Sequence, residues 1–234
     1  MICGVLKIML LGNFDAHKLL DKVGHCVNTH IFVTKLLEWA DKATFRDFTY
    51  RHETDAFRKL CLSVLLQRAR PPQVDEAYKR LFTFLPTIKD VTNAPKGQIA
   101  ELIRPSGMHQ IKAERIRKLA EIILNQYNGR VPQNKEELLE LPGIGEYAAD
   151  VVLAWAFNQD VTMIDTNVYR ILKRVGLIKE EGEARTILER LIPEGYRRRF
   201  NLIFIEFGGL ICKPIKPRCP NCTLRDICHY AKSH

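Results

Sequence analysis

The stretch that decides the fold reads LPGIGEYAAD and occupies residues 141–150. Pro142 fixes one backbone torsion, and Gly143 and Gly145 permit a tight turn between two helices. Successive backbone N–H groups at such a turn point outward beside a helix N-terminus, where the helix macrodipole favours an anion. We therefore predict that Gly143, Ile144 and Gly145 grip a backbone phosphate of a nucleic acid without reading its sequence. A purely structural corner between two helices is the alternative.

Helical periodicity dominates the rest of the chain, and alternating strand patterns are nearly absent. Between residues 111 and 127, apolar side chains recur with a period of 3.6 residues, and Gly129 is a plausible stop. We therefore predict an all-α chain. Further helices are predicted over residues 31–40, 56–67, 74–84, 97–103, 146–157, 167–174, 184–191 and 196–210.

Helix-capping signals mark two of these boundaries. Asn134, with Glu137 three residues later, is typical of an N-cap and capping box that opens a helix through residue 140. Thr54 and Asp55 are candidate caps of the helix over residues 56–67, which the prolines at 71 and 72 are predicted to end.

The charge balance favours a polyanionic partner. The 234 residues include 36 Lys or Arg and 27 Asp or Glu, which gives a formal net charge of +9. Neutralising phosphates with such cations releases condensed counterions, although an ordinary basic enzyme is the alternative. No stretch approaches the roughly 18 apolar residues that cross a membrane, so no membrane partner is expected. The apolar residues 1–11 lack a following small-residue cleavage site, which argues against a signal peptide.

Four of the seven cysteines cluster near the end of the chain with the spacing C-x6-C-x2-C-x5-C. Four thiolates this close together can enclose one metal centre. Structural zinc sites usually combine two close Cys/His pairs, whereas this run has one C-x-x-C, so zinc is the less favoured occupant. An odd total argues against a secreted disulfide framework and favours a reducing, cytoplasmic location. The clustered cysteines are Cys212, Cys219, Cys222 and Cys228; Cys3, Cys26 and Cys61 are interpreted as ordinary thiols.

The LPGIGEYAAD motif, the segment MIDTN at residues 163–167 and the four-cysteine run together resemble the helix-hairpin-helix DNA glycosylases of the endonuclease III and MutY superfamily. Among these the chain is most similar to the mismatch-specific thymine glycosylases. The resemblance extends to RDFTYR at residues 46–51 and GMHQIKA at residues 107–113, and covers about residues 32–228.

This resemblance implies a two-domain, endonuclease III-like helical fold. A helical barrel domain with the helix-hairpin-helix is expected over residues 49–159. Residues 160–234 are expected to carry the catalytic Asp and a [4Fe–4S] cluster loop, and residues 1–48 to supply a segment and helices that pack with that C-terminal region.

The resemblance also implies a catalytic pair. Asp165 matches the family's Asp, which stabilises the positive charge that develops on the sugar as the glycosidic bond of a flipped base breaks. An N-cap role for Asp165 is the alternative, and the two roles are compatible. Tyr147 stands where the glycosylase/lyases of the superfamily carry a nucleophilic Lys. Because a phenol cannot form a Schiff base, we expect a monofunctional glycosylase with weak or no lyase activity.

Ser63 bears on which base is removed. It occupies the place of the Glu with which adenine glycosylases protonate their leaving purine, and a hydroxyl is too weak an acid for that step. The chain ends at His234, which leaves no room for MutY's C-terminal recognition domain. Thymine or uracil opposite guanine is therefore the favoured target. An adenine or oxidised-base glycosylase is one alternative, and a non-catalytic helix-hairpin-helix DNA-binding protein, against which Asp165 argues, is another.

Two loops are candidates for entering the duplex. Gln67, Arg68 and Arg70 occupy the place from which the family inserts a wedge into the gap left by the flipped base. The alternative is a solvated basic helix end. Met108 and His109 occupy the family's second insertion loop, with an ordinary core or loop role as the alternative.

The cysteine spacing matches the [4Fe–4S] cluster of the superfamily, so the resemblance implies that Cys212, Cys219, Cys222 and Cys228 bind it. Between the first two cysteines lie three cations on a proline-stiffened loop that we expect to contact the DNA backbone, with solubility as the alternative. The expected partner is double-stranded DNA with a mismatch or a damaged base, bound by a monomer associated with the nucleoid in the cytoplasm. The three loop cations are Lys213, Lys216 and Arg218.

Overall fold

The computed structural model describes residues 27–233, and every regular element within that range is helical. This confirms the predicted all-α class. The α-helices are α1 Val27–Lys42, α2 Ala56–Leu66, α3 Pro71–Phe84, α4 Ile88–Asn93, α5 Lys96–Leu102, α6 His109–Gln126, α7 Lys135–Glu140, α8 Glu146–Trp155, α9 Thr166–Val175, α10 Glu183–Leu191, α11 Arg197–Leu210 and α12 His229–Ser233, with short 3₁₀ turns at Thr49–His52, Arg104–Ser106, Cys219–Asn221 and Arg225–Ile227.

The chain divides into two compact units, Asp47–Gln159 and the pair of segments Met1–Arg46 and Asp160–His234. The predictions for Cys3, Cys26 and residues 1–11, like the position of His234, lie outside the described residues. Over the range that the structure describes, no helix combines the length and the apolarity that a bilayer span requires.

The unit Asp47–Gln159 is built around α6, which packs against α2, α4 and α5. The buried face of α6 carries Ile116, Leu119 and Ile123, each with no exposed surface. Burying one such side chain stabilises a fold by about 1.5–3 kcal/mol. The apolar residues that recur in this segment therefore form the buried face that holds α6 in the core. Gly129 follows the helix with a left-handed φ of +79°, and its N–H bonds to the Ile123 carbonyl at 2.8 Å.

The second unit has α9 and α11 packed together, with α1 against α11 and α10. Its core is aromatic-rich: Phe204 of α11 lies 6.3 Å from Phe32 of α1 between ring centroids, and Phe207 meets Trp39 edge-on at 4.9 Å. This packing holds the start of α9 in place, which matters because Asp165 immediately precedes that helix.

The helix boundaries largely follow the local signals. The side chains of Asp55 and Asn134 cap α2 and α7 as predicted. The prolines at 71 and 72 do not end α2, which stops at Leu66; they begin α3, because a proline at the first helical position needs no N–H. Helix α4 was not predicted, although Thr87 and Asp90 form its capping box.

Candidate functional site

The predicted hairpin is present between α7 and α8. Gly143 has a φ of +82°, and the Ile144 N–H closes the turn on the Leu141 carbonyl at 3.1 Å. The Ile144 side chain is buried and its N–H bonds within the turn, so this residue anchors the turn. Gly145 is exposed, and its N–H has no acceptor among the described residues. An anion at this turn is therefore expected at Gly145 and the first turn of α8.

The two glycines leave room for different groups. A Cβ on Gly143 would lie 3.1 Å from the Arg115 Cδ, whereas a Cβ on Gly145 would meet nothing within 4 Å. The space beside Gly143 is filled by the chain's own Arg115. Beside Gly145, by contrast, the surface is open to an outside group.

Gln67 is fixed to the hairpin. Its Nε2 donates to the Gly143 carbonyl at 2.9 Å, and its Oε1 accepts from the Arg115 Nη1 at 2.6 Å. Arg68 and Arg70 are exposed, and Arg68 has a left-handed φ of +51°. The 67–70 loop thus presents two exposed cations, and its first residue, Gln67, is hydrogen-bonded to the hairpin.

The second candidate loop, which carries Met108 and His109, has an unusual backbone; its residues 106–108 are called the 106–108 loop below. Gly107 and Met108 have φ values of +67° and +49°, and the Met108 side chain is 42% exposed while His109 is half-buried. Beneath it lies Lys112, which is 1% exposed and donates from Nζ to the carbonyls of Ser106 at 2.7 Å and Leu65 at 2.8 Å. Burial lowers the pKa of Lys112 to about 8.

Tyr147 and Ser63 belong to the same unit. Tyr147 is half-buried on the first turn of α8, and Ser63 is half-buried on α2, where its hydroxyl donates to the Lys59 carbonyl at 3.1 Å. One turn earlier, the buried Lys59 ammonium lies 3.4 Å from the Tyr50 carbonyl and 5.6 Å from the centre of the Trp155 ring. Burial lowers the pKa of Lys59 to about 8. This buried amine was not predicted.

In the other unit, the Asp165 carboxylate is held from two sides. Its Oδ1 accepts the Val168 N–H at 2.8 Å and caps α9, while its Oδ2 accepts the Asn167 Nδ2 at 2.6 Å. The Asn167 Oδ1 accepts from the Arg170 Nη2 at 2.6 Å, which fixes the orientation of the amide. Capping therefore uses only one carboxylate oxygen, and the side chain remains half-buried rather than enclosed.

Arg170 connects this carboxylate to the cysteine run. Its Nε donates to the Cys212 carbonyl at 2.8 Å, and its Nη2 also reaches the Gly208 carbonyl at 3.1 Å. Asp165, Asn167, Arg170 and Cys212 are thus joined by a continuous set of hydrogen bonds. Sequence reasoning found the two ends of this network but neither Asn167 nor Arg170.

None of the four clustered cysteines forms a disulfide bond with another described residue, and they lie close enough to influence one another electrostatically. Burial raises the pKa of Cys222 to about 11, and the thiols of Cys212, Cys228 and Cys219 contribute to the shift. Arg174 donates to the Cys212 Sγ at 3.4 Å. Within residues 27–233 no group of three or more His, Cys, Asp or Glu side chains is arranged to hold a single metal ion. A donor set of four soft thiols fits a thiolate-ligated metal centre.

The cation-bearing loop between the first two cysteines is braced by Arg174. The Arg174 guanidinium donates to the carbonyls of Lys213 at 2.6 Å and Pro214 at 2.9 Å. Lys216 and Arg218 are exposed, and Lys213 is half-buried. The brace was not predicted, because it bonds to the backbone and leaves no signal in the side-chain pattern.

Comparison with known proteins links these features to one family. The family model described as HhH-GPD superfamily base excision DNA repair protein matches residues 61–194, which include the hairpin and Asp165. The chain is 32% identical over 206 residues to the thymine/uracil-DNA glycosylase of Methanothermobacter thermautotrophicus, covering 86% of this chain and 93% of that protein.

Two further similarities involve endonuclease III. The chain is 37% identical over 198 residues to the endonuclease III of Thermotoga maritima, covering 83% of this chain and 93% of the relative. Its fold is also similar to that of endonuclease III trapped as a covalent intermediate with DNA, with a TM-score of 0.79 and 29% identity over 89% of this chain and 99% of the other.

Proposed function

This chain belongs to the HhH-GPD superfamily of base excision DNA repair proteins, and we propose that it is a monofunctional DNA glycosylase that removes thymine or uracil mispaired with guanine. The observation that carries the proposal is the Asp165 carboxylate, held by the Val168 N–H and the Asn167 amide. A carboxylate fixed before the substrate arrives stabilises developing positive charge without reorganising.

In the proposed reaction, the target nucleotide leaves the stack, since its glycosidic bond is inaccessible within the duplex. Asp165 stabilises the oxocarbenium-like sugar and orients the attacking water. Tyr147 occupies the position of the lyase amine and forms no Schiff base, so the product is an abasic site in an intact strand. In this respect the chain is proposed to resemble the thymine/uracil-DNA glycosylase more than endonuclease III.

The preference for a pyrimidine rests on Ser63. Its hydroxyl is already donated to the Lys59 carbonyl, and it is far too weak an acid to protonate a departing purine. Thymine and uracil leave as N1 anions and need no such acid. Removal of adenine or of an oxidised base therefore remains the less favoured alternative.

DNA binding is proposed to use the backbone at Gly145, the exposed cations Arg68 and Arg70, and the loop that carries Lys216 and Arg218. These groups contact phosphates and fill the gap left by the flipped base. Met108 and His109 supply the second insertion loop. A monomer acting on double-stranded DNA at the nucleoid, with residues 49–159 as its barrel domain, completes the proposal.

A [4Fe–4S] cluster is proposed to be held by Cys212, Cys219, Cys222 and Cys228. When bound, it would pin the two ends of the cation-bearing loop. Arg174, which donates to both a sulfur and two carbonyls of this region, positions the same loop from the helix side. The cluster then serves DNA binding rather than bond cleavage.

A panel of duplexes with single lesions tests the function. We expect base release from G:T and G:U pairs, with the phosphodiester backbone left intact. Release of adenine opposite oxidised guanine would support the purine alternative. Retention of every duplex without any base release would identify a non-catalytic binder.

A further inference from the structure

The first turns of α6 carry two cations that bind the chain's own loops. Neither Lys112 nor Arg115 is paired with a carboxylate in the part of the chain that the structure describes. They are three residues apart and therefore share one face of the helix. Two cations on one helix face are usually solvated, so their use inside the protein calls for a reason.

Lys112 joins the starts of two loops. It donates to Leu65, two residues before Gln67, and to Ser106, directly before the left-handed pair at residues 107–108. The Leu65 carbonyl lies in the last turn of α2, where helix carbonyls lack partners, and the Ala69 N–H bonds to Leu66 instead. Without the ammonium, two buried carbonyls would be left without a donor.

Arg115 adds a connection to the hairpin, and Lys112 and Arg115 together are called the bracket below. Its guanidinium donates to the Gln67 side chain, which in turn donates to the Gly143 carbonyl. The methylene stem of Arg115 also fills the space beside Gly143. One helix face therefore holds the 67–70 loop, the 106–108 loop and the hairpin turn through four hydrogen bonds.

The burial of Lys112 carries a cost. Removing an ammonium from water without a carboxylate partner is unfavourable, and a methionine of similar length would pack there without that desolvation. A tie between the two loops explains the lysine at this position, because one ammonium has enough N–H donors to bind both carbonyls at once.

Three exposed apolar side chains lie in or directly beside the segments that Lys112 joins: Met108 in the 106–108 loop, Leu66 at the end of α2 and Ile111 in the first turn of α6. Such side chains unstack base pairs when they are pushed into a duplex. An inserted side chain can unstack base pairs only if its own backbone is held rigidly. The Lys112 ammonium holds this backbone through the carbonyls of Leu65 and Ser106.

We infer that Lys112 and Arg115 are positioning residues that hold both insertion loops and the hairpin in the arrangement needed to extrude a base. This inference rests on the proposed function. It assigns the pair to base extrusion, not to phosphate binding and not to bond cleavage. A loss of the bracket should therefore matter most when the target base is paired and stacked.

The test compares Lys112→Met and Arg115→Met with Lys118→Met, an exposed lysine of the same helix. Base extrusion is followed by the fluorescence of 2-aminopurine placed beside a G:U mismatch. Uracil release is measured for that duplex and for uracil in an unpaired bubble, where stacking opposes extrusion least. Affinity for an undamaged duplex is measured alongside.

For both bracket variants we expect extrusion and release from the G:U duplex to fall on the order of tenfold to a hundredfold. Release from the bubble and affinity for undamaged DNA should stay close to those of the unchanged protein. Equal losses on duplex and bubble, or no loss on either, would overturn the inference. The Lys118→Met control should leave all four measurements unchanged.

Two further safeguards keep the outcome decisive. If Lys112→Met does not fold, Lys112→Gln, which keeps an N–H donor, replaces it and should retain part of the extrusion. If the unchanged protein extrudes the base but releases none from either substrate, the proposed function fails while extrusion still tests the bracket.

Discussion

The side-chain amide of Asn167 donates to the Asp165 Oδ2 at 2.6 Å, while the other oxygen of the same carboxylate caps α9. Both oxygens of the proposed catalytic group are therefore occupied, and each bond has a separate function. The cap fixes the position of the carboxylate relative to the helix, and the amide fixes its rotation.

Replacing Asp165 with Asn should strongly reduce base release and keep DNA binding. An amide oxygen can still accept the Val168 N–H, so α9 remains capped, but the charge that stabilises the sugar is lost. We expect single-turnover release to fall roughly a hundredfold to a thousandfold. Fluorescence anisotropy with a G:U duplex should give an unchanged affinity. Unaltered turnover would remove Asp165 from the mechanism.

Gly208→Ala should disturb the carboxylate without touching it. A Cβ at residue 208 would lie 2.5 Å from the Asn167 Oδ1 and 2.7 Å from its Cβ, so Asn167 must move. We expect base release to drop on the order of tenfold or more, with DNA affinity retained. Gly97→Ala, where a Cβ meets nothing within 4 Å, is the matched control and should leave release unchanged. Normal activity of Gly208→Ala would show that Asn167 is dispensable.

Tyr147→Lys should introduce strand nicking. An amine at this position can attack the sugar carbon and open it through a Schiff base, which the phenol cannot do. The readout is cleavage of the abasic strand on a denaturing gel, together with covalent trapping by borohydride. Tyr147→Phe serves as the control and should not nick. Absence of any trapped complex with the lysine variant would mean that residue 147 does not face the sugar.

Lys59→Met should stabilise the protein at neutral pH. Burial lowers the pKa of Lys59 to about 8, below the ordinary lysine value of 10.5, so folding disfavours the charged amine. The loss of folding stability caused by burying the charged Lys59 is fully present below pH 8. It decreases as the pH rises towards 10.5, because the unfolded chain then also loses the proton. We expect a gain of about 1–4 kcal/mol at pH 7.

The measurement for this variant is the difference in thermal unfolding between Lys59→Met and the unchanged protein at pH 7 and at pH 10. Lys118→Met, at an exposed site on α6, corrects for the general effect of removing a lysine. A gain that grows with pH would contradict the sign derived for Lys59.

Cys222→Ser should release the proposed cluster. Removing one of four thiolates should lower the iron and acid-labile sulfide content of the purified protein and weaken its binding to undamaged DNA. Cys61→Ala, which removes a buried thiol of the other unit, should keep both. Stoichiometric zinc in the unchanged protein, with no iron, would reverse the choice of metal.

Much of the fold could be predicted from the sequence because helix periodicity and helix caps depend on residues that are close together in the chain. The 3.6-residue period of α6 and the caps at Asp55, Asn134 and Asp165 depend on neighbours a few residues away. Helix α4 was missed in the sequence analysis because its six residues are too few to show a helical period. Its Thr87–Asp90 capping box was the available signal.

The site was predictable only in part, for a physical reason. Cations on helices normally face water, so the hydrogen bonds that Lys112 and Arg115 make to other parts of the protein left no trace in the hydrophobic pattern. Arg170 contacts a carbonyl 42 residues away, and a bond to the backbone is independent of the side chain there. Contacts of this kind become visible only once the chain is folded.

The way in which Arg174 holds the cation-bearing loop has a consequence for how this protein can change. Because its guanidinium bonds to the main-chain oxygens of residues 213 and 214, the side chains around it can be exchanged while the grip persists. Basic residues on the cation-bearing loop could therefore be added or removed one at a time. Each such change should shift the salt dependence of the proposed DNA binding, while the shape of the loop is preserved.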